Sequence, residues 1–439
     1  MSVFISYICY HRYFLMITIP ALYKIYQQYP SVQTDTRALK QGDLYFALKG
    51  PNFNGNDFAQ AALDAGAAYA IVDEPPASPN ERILVVKDVL STLQHLAKHH
   101  REQFNIPFIA ITGSNGKTTT KELVSIVLAA KYKTYTTQGN LNNHIGIPLT
   151  ILRVHPDAEM AVIEMGANHQ KEIESYCLYT LPTHGIITNA GKAHLEGFGG
   201  IEGVRKGKGE LFDYLRAHNG TAFVMWDYDY LQEMSKGIPH IIKYGTTHAT
   251  VTGKVAQSEP FLSVNIESGD PFTIQSKLVG AYNLPNILVA VAVGQYFGVG
   301  NEAIQSAIEN YTPSNSRSQL MTIGSNSFIL DAYNANPSSM RAAIENFAAL
   351  KGNNKVLMLG GMMELGPESL QEHQQIIDLI KKYHWKAVVL VGGDFRKLEH
   401  PFISLENSAA AKEWLANQHF EHTSLLVKGS RSMQMEKVL

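Results

Sequence analysis

The sequence predicts an α/β chain of three domains, and three observations carry that prediction. An apolar strand at 107–112 runs into the turn GSNGK and then into a helix from about Thr118. Beyond Thr312 and Pro313, apolar runs at 328–331, 355–359, 387–391 and 424–427 alternate with helical patterns. That alternation is the mark of a parallel sheet with right-handed crossovers. Finally, 439 residues that are 45% hydrophobic and 17% charged make a globular chain too long for one ordinary domain. The expected boundaries are 1–86, 87–312 and 313–439.

Taken in order, residues 1–15 form an aromatic-rich apolar stretch, broken by His11 and Arg12. It is too short for a membrane span and has no small-residue cleavage site, so it reads as an extension preceding a natural start at Met16. A loop then leads to an Ala-rich helix at 57–65 and a strand at 68–72. PPASPN at 75–80 is a surface loop by composition, and a helix at 89–103 leads into the second domain. There, buried strands are expected at 160–165 and 185–188, and helices at 201–216 and 283–297. Short alternating runs such as FLSVNIES suggest antiparallel hairpins over 221–275. The third domain adds helices from Pro337, at 370–383 and at 408–417.

Composition narrows the function classes. A net charge of -2 gives no basic field for nucleic acid, so an anionic ligand must be held by local cations and backbone N–H groups. The two cysteines, Cys9 and Cys177, are far apart and match neither a disulfide framework nor a metal motif, which suits a reducing cytoplasm.

The chemistry begins at FIAITGSNGKTTTKELVSIVL. Gly113 and Gly116 let the backbone turn tightly, and the N–H groups of Ser114, Asn115 and the helix start favour phosphate oxygens. Lys117 can reach the β- and γ-phosphates, and the Thr118 hydroxyl can hold Mg²⁺. Thr119 lies beside them at the helix start. Ile111 stands where the generic phosphate loop has its first glycine, so the motif is a variant.

Thr112–Thr118 has the form TGxNGKT, and with it stand NLNNHIGIPLT (140–150), VIEMGA (162–167), TNAGKAHLEGFGG (188–200), KGKGE (206–210), GAYNLPN (280–286), DAYNANPSS (331–339) and KGSRSMQMEKV (428–438). In this order and spacing the set resembles the Mur ligases, ATP-dependent amide-bond ligases of peptidoglycan precursor synthesis, from about Met16 to the C-terminus. The resemblance implies a small N-terminal UDP-binding module, a central ATPase domain with a mostly parallel sheet, and a C-terminal Rossmann-like α/β domain. HLEGFG, DAYNANP and MMELGPES (362–369) resemble the branch that adds D-alanyl-D-alanine to UDP-N-acetylmuramoyl-tripeptide. The alternative is the sister ligase that adds the third residue of the stem peptide, whose DNPR-type signature this chain lacks. Folylpolyglutamate synthetase is a more distant alternative, and DTRALKQGDLYFALKG argues against it.

By the same resemblance, Glu164, His194 and Lys208 join Thr118 as ligands of two Mg²⁺ ions, with Lys208 carbamylated. Asn142 and Asn143 orient substrate and metal, or are simply turn residues before Gly146. Asn283 and Asn286 resemble adenine contacts, with Tyr282 where the family usually has His; a plain helix cap is the other reading of Asn283. Arg317 resembles the arginine that approaches the phosphates, and Asp331 the ribose-binding carboxylate. Asp35, Thr36 and Arg37 match a DSR-like motif near the uridine diphosphate, with Thr for Ser; Asn56 stands where His is common. Lys428, Ser430 and Arg431 either contact substrate or make a strand-to-helix turn. The implied catalytic set is Lys117, Asn143, His194 and Lys208, in a cytoplasmic monomer with no membrane or nucleic-acid partner. A nucleotide-binding scaffold with a dead ligase site is the reading from another class; it would have lost Lys117, Glu164, His194 or Lys208, and all four are present.

Overall fold

The computed structural model describes residues 16–313 and 316–439, so the expected extension at 1–15 lies outside the described residues. The chain divides into two compact units. One comprises Met1–Phe108, Tyr135–Met165 and Ser175–Pro182; the other comprises Ile109–Thr134, Gly166–Glu174 and Thr183–Leu439.

In the first unit, Val32–Gln33, Leu44–Phe46, Tyr69–Val72 and Ile83–Val85 form a wholly parallel sheet in that order. The Ala-rich helix is Ala59–Asp64, preceded by a tight turn of 3₁₀ helix over Gly55–Phe58. Its small side chains Ala59 and Ala62, with Leu63, pack on Tyr45, Ala70 and Val72. The helix Ile19–Gln28, which begins with Pro20 in its first turn, buries Leu22 and Tyr26. The helix Val89–Arg101 starts at Asp88, whose carboxylate accepts from the Ser91 N–H, supplying an acceptor to one of the helix's orphan donors.

The second unit contains two sheets. One runs Phe272–Gln275, Ser263–Ile266, Val251–Gln257, His240–Gly245, Thr221–Met225, His184–Ile187 and Phe108–Thr112. The strands from Phe108–Thr112 to Val251–Gln257 pair in parallel, and the last three form an antiparallel meander. The hairpin expectation over 221–275 therefore holds for the second half only. Thr221–Met225 and His240–Gly245 are parallel because the helix Asp229–Met234 returns the chain between them. Phe108–Thr112 is buried at every position, as its unbroken apolar run requires. The helix Lys117–Ala129 follows it and packs against Leu284–Tyr296.

The other sheet runs Gln319–Ile323, Asn326–Asp331, Ser424–Lys428, Lys355–Gly360, Ala387–Val391 and Ile403–Leu405. Only the first pair is antiparallel. Its core joins Leu330, Val356, Met358, Val389 and Val427. The helix Pro337–Ala349 opens with a capping box between Asn336 and Ser339 and with Pro337 in its first turn. Among the described residues, no helix is long and apolar enough to cross a membrane.

Candidate functional site

The phosphate loop leaves the strand Phe108–Thr112 through two glycines that no other residue could replace without strain. Gly113 has φ +143°, and a Cβ there would stand 2.0 Å from Thr188 Oγ1. Gly116 has φ +79° and faces Asn286 Oδ1 at 2.7 Å from the same hypothetical carbon. Lys117 Nζ folds back onto the loop, donating to the carbonyls of Gly113 at 2.7 Å and Ser114 at 3.3 Å. Thr118 is buried at the helix start, next to Thr119.

Two sets of side chains hold this loop in shape. The segment after the strand His184–Ile187 is the first. Thr188 Oγ1 and Asn189 Nδ2 both donate to the Asn115 carbonyl, at 2.6 and 3.1 Å, and Asn189 Oδ1 accepts from the Asn115 N–H at 3.0 Å. Ser114 Oγ donates to the Gly191 carbonyl at 2.8 Å. The second set is an amide chain. Thr120 Oγ1 donates to Asn286 Oδ1 at 3.0 Å, Asn286 Nδ2 to Asn283 Oδ1 at 2.8 Å, and Asn283 Nδ2 to the Val279 carbonyl at 2.9 Å. The Asn283 side chain makes no cap bond to its helix, so the plain helix-cap reading does not hold.

Lys208 is the other notable feature. It lies on the helix Ile201–Ala217, yet its side chain is 1% exposed. Nζ donates to the Ala167 carbonyl at 2.9 Å and stands over the Phe198 ring at 4.9 Å. Burial, and next the positive charge of Lys117, hold this amine well below the usual lysine range. A carboxylate on the same helix shapes its surroundings: Glu210 accepts the N–H groups of Lys171 at 2.6 Å and Glu174 at 3.0 Å, fixing the turn that follows Ala167.

His194 has φ +52° at the start of the short helix Leu195–Phe198. Its Nδ1 lies 2.5 Å from Glu364 Oε2, and contact with His194 lowers the Glu364 pKa. Glu364 belongs to the turn MMELGPES, which His373 secures. Its Nε2 accepts from the Met362 N–H at 3.0 Å while Nδ1 meets the Ser369 carbonyl at 2.7 Å. These bonds require the neutral ring, and burial lowers its pKa accordingly.

Around the last sheet, Arg317 stacks on the Tyr333 ring at 3.6 Å, and its Nε–H is buried with no acceptor among the described residues. Asp331 Oδ2 pairs with the buried Lys428 Nζ at 2.5 Å, and Oδ1 accepts from the Ser318 N–H at 3.1 Å. Tyr282 Oη meets Ser318 Oγ at 2.8 Å. Ser430 Oγ donates to the Gly361 carbonyl at 2.7 Å, and Arg431 lies over Tyr333 at 5.6 Å.

Within the first unit, Glu164 is 2% exposed at the end of Met160–Glu164, and Asn142 Nδ2 donates to its Oε1 at 2.7 Å. Asn143 Oδ1 accepts the N–H groups of Ile145 at 3.1 Å and Gly146 at 2.9 Å, so it does serve the turn before Gly146. Arg37 donates to Asp35 through Nε at 2.9 Å and Nη2 at 2.7 Å. That pairing lowers the Asp35 pKa to about 2. Thr36 begins the short turn of 3₁₀ helix between them. Asn56 is held by Asn54 and Asp73.

Sequence reading missed Thr188, Asn189, Asn336, Ser338, Glu364 and Glu372 as individual residues. All but Glu372 lie inside motifs already singled out, but their partners are distant in the chain and spacing could not pair them.

Three family models match the chain: the Mur ligase middle domain over residues 111–294, the glutamate ligase domain of the Mur ligases over 316–431, and the Mur ligase family catalytic domain over 28–101. A relative in Escherichia coli (strain K12), UDP-N-acetylmuramoyl-tripeptide–D-alanyl-D-alanine ligase, is 36% identical over 430 residues, covering 93% of this chain and 92% of its own. A crystal structure of MurF from Acinetobacter baumannii superposes with a TM-score of 0.85 at 31% identity, covering 93% of this chain and 92% of that one. MurF ligase from Thermotoga maritima in complex with ADP gives 0.84 at 25% identity, covering 93% and 96%.

Proposed function

The chain belongs to the Mur ligase family, and we infer that it joins D-alanyl-D-alanine to UDP-N-acetylmuramoyl-tripeptide at the expense of ATP in peptidoglycan precursor synthesis. The observation that carries this reading is the end-to-end match to ligases of that name, covering 93% of the chain. The braced phosphate loop agrees with it.

The reaction has two steps. A terminal carboxylate oxygen of the tripeptide attacks the γ-phosphorus of ATP, giving an acyl phosphate and ADP. The neutral amine of D-alanyl-D-alanine then attacks the acyl carbon, the amine proton is lost, and inorganic phosphate leaves. Both steps need positioning and charge neutralisation more than covalent help from the protein. In this reading the N–H groups of the 113–118 loop cradle the phosphates. Lys117 exchanges its loop carbonyls for β- and γ-phosphate oxygens, and Arg317 supplies its guanidinium to the same charge. Asn283 and Asn286 stand at the adenine end, where their amide chain links that end to the loop. Asp331 takes the ribose. The assigned domains are 1–86 for the uridine-linked substrate through Asp35, Thr36 and Arg37, 87–312 for ATP, and 313–439 to complete the site and exclude water.

Among the described residues, no group of three or more His, Cys, Asp or Glu converges as a ready metal site. The donors suit Mg²⁺ if Lys208 supplies an oxygen, and its burial as an amine of lowered pKa suits addition to CO₂, giving an anionic carbamate and a proton. We assign Thr118, Glu164, His194 and the carbamylated Lys208 to Mg²⁺, with Asn142 orienting Glu164 and Asn143 shaping the adjacent turn. The metal would neutralise phosphate charge.

Acceptor choice tests the reading. Phosphate release from purified protein, ATP, Mg²⁺ and UDP-N-acetylmuramoyl-tripeptide is expected with D-Ala-D-Ala and not with single amino acids. Equal turnover of the dipeptide-bearing nucleotide with diaminopimelate or lysine would transfer the chain to the sister ligase.

A further inference from the structure

The segment 188–194 has two roles in the structure. On one side it braces the phosphate loop through Thr188, Asn189 and Gly191. On the other it is gripped by residues beyond 330. Ser338 Oγ accepts the Lys192 N–H at 3.1 Å, and Lys192 Nζ meets Glu372 Oε1 at 2.5 Å. Alongside, Asn336 Nδ2 donates to Asn115 Oδ1, in the phosphate loop itself, at 2.8 Å. Glu372 sits in the first turn of the helix Ser369–Ile380 with its side chain 3% exposed, and Lys192 is the cation that meets it. A carboxylate buried to that degree is costly without its cation. Glu372 therefore holds Lys192, and with it the loop's brace, in one place.

We propose that Lys192 and Glu372 form a latch through which the C-terminal region sets the geometry of the phosphate loop. They are positioning residues for phosphoryl transfer and touch neither ATP nor the acceptor. The latch acts because its pair ends on the brace, two residues from His194 and one from Gly191, which accepts the Ser114 hydroxyl. When the pair is made, Ser338 and Asn336 reach the brace and the loop; when it is broken, both contacts lose their anchor. This inference rests on the ligase reading for its turnover arm and stands apart from it in its nucleotide-binding arm.

The test compares Lys192→Met, Glu372→Gln and the double variant with the wild-type chain in two measurements. One is phosphate release with saturating substrates, resolved into kcat and the KM for ATP. The other is the rise in melting temperature on adding MgADP. Each single variant is expected to fold, with Lys192→Met melting lower than Glu372→Gln because it leaves the buried carboxylate without its cation. Each should lose roughly tenfold or more in kcat and most of the MgADP-induced rise, because one misplaced positioning contact costs that much. The double variant should be no worse than the poorer single one, since both remove the same contact. Wild-type kcat and a full MgADP response in both single variants would overturn the latch. So would a double-variant loss equal to the product of the two single losses. If a single variant melts early, the double variant, which leaves no unpaired buried charge, decides: a melting temperature near that of the wild type with the MgADP response still lost upholds the latch, and a restored MgADP response refutes it. A wild-type protein that released no phosphate would sink the ligase reading, while the MgADP arm would still decide the latch.

Discussion

Replacing Gly113 by alanine should disable the phosphate loop, and the size of the effect can be worked from its surroundings. The backbone at φ +143° lies where an L side chain is strained, at about 1–3 kcal/mol. The new Cβ would also stand 2.0 Å from Thr188 Oγ1, with the Asn189 carbonyl and amide at 3.0 and 3.1 Å blocking the other exits. Thr188 must give way, and its 2.6 Å bond to the Asn115 carbonyl goes with it, for about another 1 kcal/mol. The sum is about 2–4 kcal/mol, or roughly 30- to 1000-fold if it falls wholly on the loop's working geometry. Gly139→Ala is the control, with φ +54° and nothing within 4 Å of its Cβ, so only about 1 kcal/mol is expected. Urea denaturation and phosphate release, run on both variants, separate lost stability from lost geometry. Gly113→Ala matching Gly139→Ala in both assays would refute the argument.

Lys117→Ala should lower turnover by at least roughly 100-fold in a folded protein, as expected for the removal of one electrostatic stabiliser; near-normal phosphate release would dismiss that role. Lys208 should show a carbamate carbon signal in labelled bicarbonate that Lys208→Ala lacks. Wild-type turnover in that variant would remove it from the site. Stability should fall as the solution is acidified below pH 6.5. Burial lowers the pKa of His373, and that of His184 to about 4, so the unfolded chain binds protons that the folded one refuses. The stabilisation is complete above 6.5 and is lost down towards pH 4, and a melting temperature flat across that window would contradict the neutral His373 geometry.

The parts of the fold that were readable are those whose burial is complete or nearly so. Phe108–Thr112 and Ala387–Val391 are unbroken apolar runs between clear breakers, and their limits fell within a residue or so of the expected ones. His240–Gly245 is partly exposed along most of its length, so its polar positions imitated a hairpin strand. The helix Ile19–Gln28 was hidden because the apolar run ahead of it masked its start, although Lys24, Gln27 and Gln28 are exposed opposite the buried Leu22 and Tyr26. In the site, residues that chemistry demands at fixed spacing, such as Gly116 and Lys117, were legible. Those that work through distant partners were not. Nothing in TNAGKAHLEGFGG says that Lys192 meets Glu372, or that Asn189 holds the Asn115 amide.

The helix Leu284–Tyr296 buries ten of its thirteen residues, and so has scarcely any outward face. Its backbone amides can meet solvent only when the surrounding layers separate, which places them among the last protons to exchange with deuterium. Asn283 and Asn286, which support Gly116 and Thr120, stand at its first turn. The two supports of the phosphate loop should thus differ on the exchange clock. The amides along this helix would wait for global unfolding, whereas those of the 188–194 turn, carried by no helix or strand, would be released by local opening.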